Sequence, residues 1–319
     1  MKRRAFRDGD RDITEIGLGT WQLGGREAGR GSYGPIDERT AIDVVRSYIE
    51  GGGSFIDTAR NYAASEELIG KALREGAYAR EGLFIASKSG KTESTEEIPL
   101  IREECETSLR NLGVDYLDLY QIHAPPEEPE LMERVLDEFS ALKEEGKVHR
   151  IGASVKGSRV GAHTVELARR YVESGRIDAL QLIYSIFRQR NQAVFDLARE
   201  HRVGIIARTA LESGFLTGKY APGISFPEDH RKRWSREKID ALCSAAAEIA
   251  EHTVGEPYES LAEVALAFVL SDARVSCVIP GARTPEHVKA NLRVDKLPLL
   301  PGEALEFLRK FDMEETANP

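Results

Sequence analysis

Eight short apolar runs, at 16–20, 54–58, 83–88, 117–123, 149–154, 179–185, 204–208 and 276–280, punctuate the 319-residue chain. Each is followed by sequence with helical character. A parallel strand covered by helices is buried on both faces, so it reads as an unbroken apolar run rather than an alternating one. The intervening segments carry the matching helix signals. In 37–50, Asp37 is placed to cap a helix whose Ile42, Val45 and Ile49 recur at helical spacing, and Gly51-Gly52-Gly53 stops it. Ser65 is placed to cap the next helix, with Glu66 and Glu67 favouring its dipole. Ser94 and Glu97 have the spacing of a capping box for a third, which ends at Gly113. Further helices are predicted over 130–145, 159–174, 192–201, 236–251, 260–270 and 285–292.

Eight strand–helix units predict a (β/α)8 TIM barrel. An open doubly wound sheet is the structural alternative, but it announces itself with a glycine-rich phosphate fingerprint after its first strand. Here Gly17-Leu18-Gly19-Thr20-Trp21-Gln22 offers a glycine pair and no third glycine opening a helix. An Asp8-Gly9 turn within 4–13 predicts an N-terminal β-hairpin that plugs the barrel floor. The two helical segments between the seventh and eighth runs exceed the one that a barrel unit needs. With no low-complexity linker, residues 1–319 read as one domain.

Charge narrows the function classes. Lys and Arg total 44 against 53 Asp and Glu, a net charge of -9, which argues against wrapping nucleic acid or an anionic membrane surface. The three cysteines, Cys105, Cys243 and Cys277, are far apart and form neither a disulfide framework nor a metal-ligand cluster. No signal-peptide core or transmembrane-length run is present, so a cytoplasmic protein is expected.

The ends of the runs carry the chemistry. A barrel's active site lies at the C-terminal ends of its strands. Asp57, Lys88 and His123 stand at the ends of three successive runs, with Tyr62 just beyond the first of them. A strand-end Asp often caps a turn, and a single Tyr or Lys is usually core edge or solvated surface. Four such groups at one end of neighbouring strands point instead to a shared pocket. A tyrosine is a poor acid near neutral pH. A nearby ammonium stabilises its anion, a carboxylate holds that ammonium, and an imidazole orients an oxygen. The set suits proton donation to an oxygen that gains charge during reduction.

The blocks that carry these residues are Phe55-Ile56-Asp57-Thr58-Ala59, Tyr62 with Ser65-Glu66, Ala86-Ser87-Lys88 and Leu119-Tyr120-Gln121-Ile122-His123. With Arg150-Ile151-Gly152-Ala153-Ser154, Phe215-Leu216-Thr217-Gly218-Lys219-Tyr220 and Val278-Ile279-Pro280-Gly281-Ala282-Arg283, they resemble the aldo-keto reductases, in order and over nearly the whole chain. The resemblance implies NAD(P)H-dependent reduction of an aldehyde or ketone, or the reverse oxidation, with direct hydride transfer and no metal. Tyr62 would be the general acid, Lys88 would lower its pKa, Asp57 would pair with Lys88, and His123 would position the carbonyl. Ser154 and Gln181 would meet the nicotinamide carboxamide. Further cofactor contacts fall on Gly19, Thr20, Trp21 and Asp57 at the mouth. At the end of the seventh run they fall on Arg208 and Thr209, and on the loop 211–219 that would cover the pyrophosphate they fall on Leu211, Gly214, Leu216, Gly218 and Lys219. Gly281, Arg283, His287 and Asn291 would surround the adenosine.

Three positions depart from the family pattern. Val155 stands where an Asn is frequent, Ser185 likewise, and Arg208 stands where an aromatic often stacks on nicotinamide. Arg283 either recognises a 2′-phosphate, which favours NADPH over NADH, or stacks on adenine without discriminating. Trp21, Tyr33, 124–128 and 187–190 are expected to line the substrate mouth. Arg188 and Arg190 either attract an acidic substrate or lie on a solvated loop, the plainer reading. Two other assignments use the same residues: a dedicated sugar or sugar-nucleotide oxidoreductase, or a low-turnover NADPH-sensing channel subunit. The second lacks the long N-terminal extension that would support it.

Overall fold

In the computed structural model, which describes residues 1–7, 9–25, 33–155, 161–226 and 228–317, each apolar run supplies a parallel strand. A short antiparallel hairpin comes first, β1 (Arg3–Ala5) with β2 (Asp12–Thr14). The hairpin is as expected, although Asp8 of its anticipated turn lies outside the described residues. The barrel strands are β3 (Leu18–Gly19), β4 (Phe55–Asp57), β5 (Phe84–Ser89), β6 (Leu119–His123), β7 (Ile151–Ser154), β8 (Ala179–Ile183), β9 (Gly204–Arg208) and β10 (Val275–Val278). They pair in sequence order. Parallel bridges Ile16–Val278 and Gly19–Gly281 then join the last strand to the first and close the ring. Closure leaves no strand edge to aggregate.

Helices follow the strands in turn: Glu38–Glu50, Ser65–Gly76, Ile98–Leu112, Pro129–Glu144, Ala162–Glu173 and Phe195–Glu200. Two follow β9, Arg236–Thr253 and Leu261–Leu270, and Pro285–Arg293 follows β10. The terminal helices Gly302–Arg309 and Glu314–Ala317 add to the predicted set. Asp37 caps its helix as expected, its carboxylate accepting from the Thr40 amide at 2.9 Å. Two other caps differ. Ser65 is already helical, and its hydroxyl is drawn into the barrel, donating to Thr20 Oγ1 at 2.9 Å. Ser94 makes no side-chain cap, because a 3-10 turn over Thr95–Glu97 intervenes and Glu97 accepts from the Glu93 amide instead.

Two apolar layers result. The larger lies between strands and helices, and a smaller one fills the barrel interior with Phe6, Ile13, Phe55, Phe84, Leu119, Ile206 and Ile279 among others. The hairpin delivers Phe6 to that interior, 4.8 Å from the Phe84 ring. The floor is therefore packed shut around an aromatic plug, and the C-terminal strand ends open on the opposite mouth. Among the described residues, no helix is long and apolar enough to cross a membrane.

Candidate active site

Strand register sets the mouth. Lys88 on β5 pairs with Gln121 on β6, His123 with Ser154 on β7, and Ser154 with Gln181 on β8. Asp57 on β4 pairs with Ala86, two residues before Lys88, and turns its carboxylate to the same centre. Its Oδ1 lies 2.6 Å from Lys88 Nζ, which also donates to the Thr58 carbonyl at 2.8 Å. Its Oδ2 accepts from Gln121 Nε2 at 3.1 Å and Gln181 Nε2 at 2.8 Å. Both charges are buried, Lys88 at 0% and Asp57 at 2% exposure. A buried ion pair survives only when further hydrogen bonds satisfy its atoms, and here the two glutamine amides and a carbonyl do so.

Tyr62 stands in the turn after β4, its amide on the Ala59 carbonyl at 3.0 Å. Gly24 packs so closely that a Cβ there would sit 1.9 Å from the Tyr62 carbonyl oxygen, so only glycine fits this crossing. The Tyr62 ring lies 5.0 Å beneath Lys88 Nζ and 5.8 Å from the His123 ring, edge to face. The four residues singled out from sequence thus form one cluster.

The expected cofactor residues gather around it in two groups. Near the tetrad, Ser154 Oγ donates to Gln181 Oε1 at 3.3 Å, and Thr20 Oγ1 donates to the Asp57 carbonyl at 2.8 Å. Trp21 meets Tyr33 and His230 edge-on at 5.4 and 5.3 Å. Farther out, Lys219 Nζ reaches His287 Nε2 at 3.2 Å, and Asn291 Nδ2 donates to the Gly281 carbonyl at 3.4 Å. Arg283 directs its guanidinium to backbone carbonyls of Tyr33, Gly34 and Pro35, at 3.0, 3.2 and 2.7 Å. It anchors the segment before the first barrel helix. Burial pushes both its pKa and that of His287 down.

Between these groups runs the loop after β9. Thr209, Glu212, Ser213, Gly214 and Gly218 all have positive φ, at 62°, 46°, 53°, 94° and 74°. Three of them are not glycine, and such strain persists only where surrounding contacts over-determine the backbone. Those contacts are visible. Arg188 and Glu212 form a buried bidentate pair at 2.9 and 2.7 Å, and the Ser185 hydroxyl donates to the same carboxylate. Arg231 donates to the Ser213 carbonyl at 2.8 Å and to the Tyr220 hydroxyl at 3.0 Å. Arg188 is therefore no solvated loop residue, correcting the plainer expectation: its 5% exposure reflects the pairing with Glu212. Leu216 and Leu211 face the apolar core, so only their backbone is available to a ligand.

Residues that sequence reasoning passed over include Gln121, Gln22 and Glu66. Gln121 interrupts the apolar run of β6, and a polar residue inside such a run is a usable signal. Gln22 bridges the Gly19 and Ala282 carbonyls at 2.8 and 2.9 Å, tying the first loop to the last. Glu66, read as a dipole partner, is fully buried and accepts from Ser87 Oγ at 2.7 Å and Asn111 Nδ2 at 3.2 Å.

Comparison with known proteins identifies the family. The model of the aldo/keto reductase family matches residues 15–311. An NADH-specific methylglyoxal reductase of Escherichia coli (strain K12) is 29% identical, over 95% of this chain and 96% of its own. Among solved structures, an aldo-keto reductase from Bacillus halodurans in its holo form superposes with a TM-score of 0.76 at 25% identity, covering 98% of this chain and 96% of its own. A glycerol dehydrogenase from Gluconobacter oxydans gives a TM-score of 0.74 at 26% identity, with 97% and 94% covered. A match that runs the length of the barrel places this chain in the aldo-keto reductase family, oxidoreductases that act on carbonyl groups.

Proposed function

We propose that the protein reduces a small aldehyde or ketone, sugars included, to an alcohol with NADPH as reductant, NADH being the alternative. The observation that carries this reading is the buried Lys88–Asp57 pair, 2.6 Å apart, set against the Tyr62 ring with His123 at its edge. Tyr62 donates a proton to the carbonyl oxygen, and the Lys88 charge stabilises the phenolate left behind. Asp57, fixed by Gln121 and Gln181, holds the Lys88 ammonium in place beside the ring. His123 orients the carbonyl oxygen beside the phenol.

The bound cofactor supplies hydride to the carbonyl carbon. The residues present fit such a group. The loop from Thr209 to Gly218 has the left-handed turns that let backbone approach a pyrophosphate, and Arg208 offers a buried Nε with no hydrogen-bond partner. Lys219 beside His287 supports a phosphate-bearing adenosine, hence NADPH over NADH. Ser154 and Gln181 would hold the carboxamide end. A relative named as NADH-specific keeps the second cofactor in play.

Oxidation of NADPH and NADH against a panel of aldehydes, ketones and sugars tests the assignment. Turnover on at least one small carbonyl is expected, with a loss of about 10²-fold or more in Tyr62→Phe. Wild-type rates in that variant would remove Tyr62 from the role. Tight cofactor binding with no turnover on any carbonyl would contradict the reductase reading itself.

A further inference from the structure

Arg208 ends β9 with more donors than acceptors around it. A guanidinium carries five N–H groups. Here Nη2 donates to the Val155 carbonyl at 3.1 Å and Nη1 to Thr209 Oγ1 at a long 3.4 Å. Its Nε is buried with no partner. Among the described residues it enters no ion pair, whereas Arg188 and Arg231 nearby are each matched bidentately by a carboxylate. Burial pushes its pKa down to about 10, against the opposing pull of Tyr62 and Asp57 charges. A half-buried cation with a sealed, unpartnered N–H and no counter-ion is costly, and such a group calls for a reason such as a ligand that meets it.

Its neighbours say which ligand. Arg208 pairs in register with Ile183, two residues beyond Gln181, and its guanidinium rests on the backbone of Val155, next to Ser154. Ser154 and Gln181 are the residues assigned to the nicotinamide end under the proposed function, on which this step rests. Val155 has no polar side chain to share that task. The guanidinium supplies the donors that this corner otherwise lacks.

We propose that Arg208 lies against the nicotinamide and senses its oxidation state, so that the reduced cofactor is held more tightly than the oxidised one. The reduced ring is neutral and the oxidised ring carries a positive charge. A fixed cation a few ångströms away therefore opposes the oxidised form, and the low polarity of the site magnifies the effect. Oxidised cofactor then leaves faster after each reduction, and the enzyme is biased toward carbonyl reduction by product release rather than by the chemical step.

Dissociation constants of the intact protein for NADPH, NADP+ and 2′-phospho-ADP-ribose, which lacks nicotinamide, test this without turnover. Binding is followed by calorimetry in the wild type, Arg208→Gln and Arg208→Lys, with circular dichroism to confirm folding. The ratio of the NADP+ to the NADPH constant is expected to fall by about tenfold in Arg208→Gln and by less than about threefold in Arg208→Lys, a residue that keeps the charge. Affinity for 2′-phospho-ADP-ribose is expected to stay within about twofold, since Arg208 faces the ring and not the phosphates. An unchanged ratio in Arg208→Gln, or equal weakening of all three ligands, would overturn the proposal. Failure of the wild type to bind any of them would overturn the reductase reading instead.

Discussion

At the floor of the barrel, Asp118 takes Arg80 at 2.7 Å and Arg11 at 3.1 Å, while Asp178 takes Arg7 at 2.8 Å and Lys143 at 2.9 Å. Arg150 pairs with Asp10 and covers the Phe84 ring at 5.4 Å. At the mouth, the Lys88–Asp57 ion pair is sealed completely, and Arg208 at the end of β9 has no carboxylate partner among the described residues. Both ends of the barrel are rich in charge. The floor matches cations to carboxylates around a packed aromatic plug, which serves stability. The mouth leaves a charge unmatched and backbone strained on the loop after β9, features that make sense where a ligand completes the structure.

Separating stability from chemistry tests that contrast. Lys88→Met strikes the mouth hardest, because it strands Asp57 as an unpaired buried carboxylate and removes the charge beside Tyr62. Carbonyl reduction should fall by about 10²-fold or more. Urea unfolding should show a loss of about 3–5 kcal/mol unless the carboxylate protonates. At the floor, Phe84→Ala should cost a similar 3–5 kcal/mol through the cavity it opens. Its kcat/KM, measured below the melting temperature, should stay within about twofold of wild type. A large activity loss there would mean that the two ends are mechanically coupled.

The smallest effect lies at the rim. Burial pushes Glu314 up to about 6, although the Arg190 amide donates to it at 3.2 Å. The folded chain therefore favours its protonated form. The stability this group contributes is present in full below about pH 4.5 and is lost as pH rises through 6, by up to about 2 kcal/mol. Glu314→Gln should stabilise the protein by about 1–2 kcal/mol at pH 8 and leave it unchanged at pH 4.5, as thermal or urea melts at the two pH values will report.

Which parts were legible in the sequence follows from the same physics. Parallel strands buried on both faces read as apolar runs, so all eight stood out, and ionisable residues at their ends marked the mouth. Short polar side chains were harder. Ser65 has the look of a cap, yet the hydroxyls of Thr20 and Thr58 recruit it into the barrel. Gln121 and Gln22 act through partners more than sixty and two hundred residues away, respectively. The Arg188–Glu212 pair joins two loops whose approach only the closed ring dictates, so Arg188 looked like a surface charge. The tetrad depended on strand order alone, and the cofactor loop depends on tertiary contacts.

The most direct measurement is single-turnover hydride transfer from saturating NADPH to a small aldehyde, in the wild type and in Tyr62→Phe, with cofactor affinity determined in parallel. Transfer slower by about 10²-fold or more, with the NADPH dissociation constant within about twofold, is the predicted result. Equal transfer rates in the two proteins would contradict the assignment of Tyr62 as the proton donor at the mouth of this barrel.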